Sequence, residues 1–224
     1  MQAFLFDLDG VLVSTEHNHF LAWQRCAHSL DIAFTEKENE RLKGVSRADS
    51  LQLILELGNK TISDSEFEAL LKSKNDFYLD SIQSLNQAHL LPGVLPLLKA
   101  AKNKGILLGV GSSSKNANFI LDKLDISQYF EVVIDGNGVK DPKPHPEVFL
   151  NGAKALGLHP SACLVFEDAA SGIAAAKAGG FTVVGVGNPN IAALADIYLK
   201  LILGRSLKAN LTPINNSKQK VFSV

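Results

Sequence analysis

The sequence predicts an α/β fold: a Rossmann-like parallel sheet core carrying an inserted all-helical cap domain. Three observations predict it. Short apolar runs closed by turn residues recur along the chain, helical patterns lie between them, and one long stretch near the start shows helical periodicity alone. Buried strands alternating with helices make βαβ units, which build parallel sheets covered on both faces. A chain of 224 residues, 46% hydrophobic and 20% charged, can bury the core this needs.

Taken in order, the run Gln2 to Phe6, closed by Asp7-Leu8-Asp9-Gly10, predicts a buried strand. From about Ser14 to Ala88 the period is helical throughout. Ser46-Arg47-Ala48-Asp49 resembles a capping box ahead of Leu51, Ile54 and Leu55, with Gly58 as the stop. Ser63-Asp64-Ser65-Glu66 is a second box, ahead of Phe67, Leu70, Leu71, Tyr78 and Ile82. A stretch without strand signal inside an α/β chain predicts an inserted helical domain over residues 14–88, in a core built from 1–13 and 89–224. The core continues with helix Pro92–Lys104, strand Ile106–Val110, helix Lys115–Leu124 and strand Val132–Ile134. Helix Pro146–Leu156, strand Cys163–Phe166, helix Ala169–Ala178 and strand Thr182–Val186 follow. Beyond Gly204 the chain is polar and weakly patterned, and Asn210–Val224 is expected to be loosely ordered.

Composition narrows the function. The net charge of −1, from 22 basic and 23 acidic residues, argues against nonspecific nucleic-acid binding, which needs a basic excess. Two cysteines, Cys26 and Cys163, exclude a disulfide framework; at most one bridge can form, and two buried thiols in a reducing compartment are favoured. The first apolar run has no basic residues before it and ends at Asp7, unlike a signal peptide, and no segment reads as a spanning helix. The expectation is a cytoplasmic monomer with neither nucleic-acid nor membrane partners.

Asp7 and Asp9 sit two residues apart at the carboxyl end of the first strand, on one side if the strand continues that far. Ligands of parallel sheets bind at those ends. Carboxylates this close repel unless a cation or a shared proton relieves them. At this point a cation site and a plain turn, with both Asp side chains on backbone amides, remain open. Glu167-Asp168 ends another strand, where it can complete an oxygen-rich site, cap the following helix, or do both. Magnesium suits such a site, because it takes few carboxylates and often shares a substrate phosphate. Ser112-Ser113-Ser114-Lys115-Asn116 follows a third strand and opens a helix, where hydroxyls and amides bind phosphate oxygens, or where Ser114 merely caps. Lys143 lies in a loop stiffened by Pro142, Pro144 and Pro146; its alternative is a solvated loop charge.

These pieces occur in an ordered set. Asp7-Leu8-Asp9-Gly10-Val11, Ser112, Lys143-Pro144 and Glu167-Asp168 with Ser171-Gly172-Ile173 resemble the four motifs of haloacid-dehalogenase-type phosphotransferases, over nearly the whole chain. The resemblance implies that Asp7 is a nucleophile forming an aspartyl phosphate and Asp9 a general acid/base. It implies a phosphate site of Ser112, Ser113, Ser114 and Lys143, and Mg2+ held by Asp7, Asp9, Glu167 and Asp168. The Lys-Pro-x-Pro-Glu-x-Phe register selects Lys143 over Lys140.

Within the insert, Leu42 to Leu51 resembles the cap loop of β-phosphoglucomutases, and Thr15, His19 and Trp23 recur at intervals of four on one helical face. That resemblance implies sugar-phosphate contacts by Thr15, His19, Trp23, Gly44, Val45, Ser46, Arg47, Lys74, Lys115 and Asn116, with Asn75 beside Lys74. It implies interconversion of β-D-glucose 1-phosphate and glucose 6-phosphate through a β-glucose 1,6-bisphosphate; the alternative is a magnesium-dependent sugar-phosphate phosphatase. Lys74 interrupts the stripe Phe67, Leu71, Tyr78, Ile82, so it snorkels or faces an anionic cleft, since an unpaired buried ammonium is costly. Arg47 can fork onto a phosphate or remain an exposed helix-start charge. Trp23 reads as packing inside the insert, His19 as structural or as a bridge between insert and core, and His145 as loop surface.

Overall fold

The computed structural model describes residues 1–200, so Asn210–Val224 lies outside the described residues. The chain runs through β1 (Ala3–Phe6), α1 (Glu16–His28), α2 (Glu36–Asn39), α3 (Arg47–Leu57) and α4 (Asp64–Ser81). It continues with α5 (Val94–Asn103), β2 (Leu107–Gly111), α6 (Ala117–Lys123), β3 (Val132–Ile134) and α7 (Glu147–Ala155). It closes with β4 (Cys163–Glu167), α8 (Ala170–Ala178), β5 (Thr182–Val186) and β6 (Ile197–Leu199). Each predicted strand and core helix is present to within about two residues at its ends; β6 was not anticipated.

Alternate residues of a strand face opposite sides of the sheet, and here both sides are apolar. Phe4 and Phe6 pack on one face with Leu108, Val110, Leu164 and Phe166, while Ala3 and Leu5 pack on the other with Val165 and Val183. Helices must therefore cover both faces. Leu97, Leu98 and Ala101 of α5 with Ile120 and Leu121 of α6 cover the first; Val148 and Phe149 of α7 with Ile173 and Ala176 of α8 cover the second.

All strands are parallel, in the order β3-β2-β1-β4-β5-β6. Phe6 pairs with Val110 on one side and with Phe166 on the other. Asp7, Gly111 and Glu167 therefore emerge at one level of the sheet. Connections run outward from β1 in one direction and from β4 in the other, and a crevice opens where the order reverses.

Helices α1 to α4 follow one another with no strand between them. Trp23, Ile32, Phe34, Leu51, Ile54 and Leu55 form an apolar cluster of their own, whereas Ala22, Tyr78 and Ile82 join the cluster around Phe6 and Leu8. The chain leaves and re-enters the core side by side, with Val13 bridging Leu90 and the Leu91 amide donating to the Leu12 carbonyl at 3.0 Å. Ser63 and Glu66 make a reciprocal capping box at α4. At α3 the Ser46 hydroxyl accepts from the Asp49 amide and donates to the Asp49 carboxylate. Cys26 and Cys163 are buried free thiols. No helix among the described residues is long and apolar enough to cross a membrane.

Candidate active site

The site begins where β1 stops. The Asp7 amide still donates to the Phe166 carbonyl at 2.9 Å, but the next residues leave the sheet. Strand alternation therefore does not govern Asp9; the two carboxylates line one cavity but take different partners, Lys143 for Asp7 and Thr15 for Asp9. The turn is made by Gly10 at φ +81°; a side chain there would sit 2.0 Å from Asp168 Oδ2. Leu8, Val11, Leu12 and Val13 are fully buried and fix the turn against the core.

Three carboxylates meet in the crevice. Oxygens of Asp7, Glu167 and Asp168 lie within 4.8 Å of one another, and all three residues are buried. Among the described residues one cation joins them: Lys143 Nζ lies 2.5 Å from Asp7 Oδ1 and 2.9 Å from Glu167 Oε2, and over the Phe149 ring. Burial pushes the Asp7 carboxyl upward, with Lys143 opposing it. Burial and the neighbouring Glu167 push Asp168 up to about 9. Burial disfavours the Lys143 ammonium, yet Asp7 and Glu167 outweigh that and hold it protonated. Three buried carboxyl groups beside one ammonium cannot all ionise cheaply, and a divalent cation with oxygen preference would relieve their repulsion. The residues present thus fit Mg2+. The Glu167 carboxylate is anchored, with Oε1 accepting from the amides of Asp168 at 3.1 Å and Ala169 at 3.0 Å.

The Asp9 carboxylate lies outside this group. Thr15 Oγ1 donates to it, and since that hydroxyl has one proton, Tyr78 donates in turn to Thr15 at 3.0 Å. His19 Nε2 lies 3.7 Å from Asp9, and its Nδ1 lies 2.9 Å from Lys74 Nζ. Burial raises the Asp9 carboxyl, but the His19 and Thr15 contacts prevail and hold it low. Burial and Lys74 hold the His19 imidazole low. Lys74 is itself buried, 4.5 Å above the Trp23 ring, and burial with the nearby Arg47 lowers it to about 7. A polar chain therefore runs from Lys74 through His19 to Asp9.

Beyond β2, the Ser112 hydroxyl accepts from the Ser114 amide at 3.1 Å, leaving its own proton free to donate. The Ser114 hydroxyl accepts from the Asn116 amide. Ser113 was expected at the phosphate, but its hydroxyl donates to the Gly44 carbonyl at 3.0 Å, between core and insert. Asn116 likewise spans the two, donating to Asn75 Oδ1 at 2.9 Å. Lys115 is exposed. A cavity of about 110 Å³ brings together Asp7, Asp9, His19, Trp23, Gly44, Val45, Arg47, Lys74, Ser112–Asn116 and Asp168. Thr15, Lys143 and Glu167 are buried and do not line it, and Ser46 is occupied in capping α3. Lys143 is the lysine at Asp7; Lys140 is exposed, with its amide and that of Asp141 bound to Glu147. His145 is exposed in the same loop.

Sequence reasoning gave no site role to Tyr78, which read only as part of an apolar stripe, nor to Lys43 and Ser50, which read only as members of the Leu42–Leu51 loop; Glu16 and Asn39, which also line the cavity, carried no signal.

The sequence model of the haloacid dehalogenase-like hydrolase family matches residues 1–180. The chain is 41% identical over 202 residues to β-phosphoglucomutase of Bacillus subtilis (strain 168), covering 89% of each protein. It is 33% identical to the phosphorylated carbohydrates phosphatase of Thermotoga maritima, covering 80% of this chain and 82% of that one. A crystal structure of β-phosphoglucomutase from Clostridium difficile superposes with a TM-score of 0.89 at 39% identity, covering 92% of this chain and 94% of that one.

Proposed function

The chain belongs to the haloacid dehalogenase-like hydrolase family, and from that premise we propose that it interconverts β-D-glucose 1-phosphate and glucose 6-phosphate. The observation that carries the reading is that one cavity is lined by Asp7 and Ser112 from the core and by Arg47 from the insert. A mutase must hold two phosphates of one sugar; a phosphatase needs to hold only the one it removes. The identity to β-phosphoglucomutase of B. subtilis supports the same choice. In this reading residues 1–13 and, of the described chain, 89–200 form the phosphotransferase core of a cytoplasmic monomer, and 14–88 its cap.

Asp7 carries the transferring phosphoryl group as an aspartyl phosphate. A carboxylate nucleophile splits one difficult transfer into two easier ones. The bond from Asp7 to phosphorus breaks as the sugar hydroxyl oxygen bonds to phosphorus, and Asp9 takes the hydroxyl proton. The β-glucose 1,6-bisphosphate then reorients and returns its other phosphate to Asp7, while Asp9 protonates the departing oxygen. Lys143 and Ser112 hold the equatorial oxygens, and phosphoryl transfer is mostly such positioning and charge neutralisation. Asp7, Glu167 and Asp168 would hold Mg2+, which when bound would supply further positive charge to the phosphoryl group. Arg47 takes the distal phosphate with its planar fork. Seating of the cap excludes water from the aspartyl phosphate.

A coupled assay tests this, following glucose 6-phosphate from β-glucose 1-phosphate with and without a bisphosphate primer. Primer-dependent glucose 6-phosphate is the expected result. Free phosphate with no isomerised sugar would overturn the mutase and favour the phosphatase reading, which the T. maritima relative supports. Asp7→Asn should abolish both turnover and base-labile phosphorylation of the protein, and retention of either would remove Asp7 from the nucleophile's role.

A further inference from the structure

We propose that the hydroxyls of Ser113 and Ser171 decide between transfer and hydrolysis: by gripping the backbone of the Lys43–Gly44 turn they keep the cap seated while Asp7 is phosphorylated. The idea rests on the phosphoryl-transfer reading above. Ser113 Oγ donates to the Gly44 carbonyl at 3.0 Å, and Ser171 Oγ donates to the Lys43 carbonyl at 3.3 Å. The two serines stand on opposite flanks of the crevice, one after β2 and one in the first turn of α8 after β4. They hold two consecutive carbonyls of the same cap turn.

The cap side is shaped to receive them. Gly44 sits at φ +71°, and a side chain there would place its Cβ 2.4 Å from Ser171 Oγ and 3.1 Å from Ala169 Cβ. Only glycine lets the turn come this close. Lys43 Nζ pairs with Glu16 at 3.1 Å and Glu40 at 2.9 Å, and the Val45 amide donates to the Leu42 carbonyl at 3.2 Å. These contacts stiffen the turn from within the cap, so its carbonyls are aimed before the core arrives. The turn lies just ahead of Arg47, so gripping it also fixes where that guanidinium starts. The Ser113 proton is committed to Gly44 and not to a phosphate.

The hydroxyls therefore act on the open–closed equilibrium. A hydrogen bond of ordinary net strength changes such an equilibrium about five-fold, and two independent ones about 25-fold. An aspartyl phosphate in a cap that opens more often meets water more often.

Ser113→Ala, Ser171→Ala and the double variant test this by the ratio of free phosphate released to sugar phosphate isomerised. Each single variant should raise the ratio several-fold and the double variant should raise it further, while Ser→Thr at either position, which keeps the hydroxyl, should stay near wild type. Thermal melts establish that the variants fold. A wild-type ratio in a folded double variant overturns the proposal. Trp23, the single tryptophan, lines the cavity beneath Lys74 and reports closure by its fluorescence. If the wild type isomerises nothing, the assigned reaction has failed, and the grip is then judged on closure alone, with Mg2+ and orthovanadate as the probe. Alanine variants should need several-fold more vanadate to give the same fluorescence change, and an unchanged titration overturns the grip as well.

Discussion

A methyl group on Gly172 would land 1.9 Å from Glu167 Oε2, so the first turn of α8 touches the carboxylate that ends β4. Glu167 cannot retreat: Lys143 holds Oε2, and two backbone amides hold Oε1. Gly172→Ala should thus displace the carboxylate or lift the helix. Overpacking of this kind costs about 1–3 kcal/mol. Disturbing a metal-orienting group should also weaken Mg2+ binding about 10–100-fold. Denaturant melts and calorimetric Mg2+ titration measure the two effects, and unchanged values in both would mean that the helix start yields freely.

Among the described residues, Lys143 is the one cation set among the three buried carboxylates of Asp7, Glu167 and Asp168. Lys143→Met should destabilise the metal-free protein by about 3–5 kcal/mol, because it leaves Asp7 and Glu167 buried and unpaired. Without the ammonium, the upward push on Asp7 from burial is unopposed. A carboxyl raised in the folded state binds protons that the unfolded chain has released, so stability falls as pH rises through the window between the two pKa values. The variant should therefore be least stable at alkaline pH, and Mg2+ should restore part of the loss. Chemical denaturation at pH 5.5 and pH 8, with and without Mg2+, checks the sign.

The same linkage applies to the wild type. Asp168 is pushed up to about 9, well above its usual 3.8, chiefly by burial and then by Glu167. Between those values the metal-free protein loses stability as pH rises. Binding Mg2+ must displace that proton, so affinity should grow from pH 6 to pH 9 and each binding event should release protons. Calorimetry in buffers of different ionisation enthalpy counts them. An affinity independent of pH would show that Asp168 is already ionised in the free protein.

The sheet was legible because its strands are apolar on both faces, as in Phe4 and Phe6 against Ala3 and Leu5. Strand β6 was not, since three residues at the sheet edge, Ile197 to Leu199, lie in an apolar stretch that favours no one period. Asp7, Ser112 and Glu167 were legible because matching registers bring strand ends to one level. Asp9 was expected beside Asp7 from strand alternation, but β1 stops at Phe6 and the Gly10 turn sends the side chain to Thr15. The grip of Ser113 on Gly44 was not legible at all, because it depends on how the insert settles on the core, which no local pattern encodes. Lys74 does not snorkel: it is buried and faces the cavity beside His19 and Asp9, the second of its two sequence readings.

Arg47 separates the mutase from the phosphatase. It opens α3 directly behind the cap turn, lines the cavity and is half-buried there, and no carboxylate among the described residues pairs with it. A guanidinium left without a partner at a cavity wall is poised for an anion of the substrate, and the planar fork suits a phosphate. A bisphosphate presents a distal phosphate in either orientation; a small phosphate ester presents none. Arg47→Ala should therefore impair isomerisation far more than hydrolysis of a small ester. Loss of a buried charge-assisted contact is worth about 2–5 kcal/mol, or roughly 30- to several-thousand-fold in kcat/KM. Arg47→Lys should recover only part of this, because an ammonium lacks the fork. Steady-state kinetics of both variants on both substrates decide it. Equal losses on the two substrates would place Arg47 in the core chemistry or in cap folding, and no loss on either would leave the distal phosphate without its anchor.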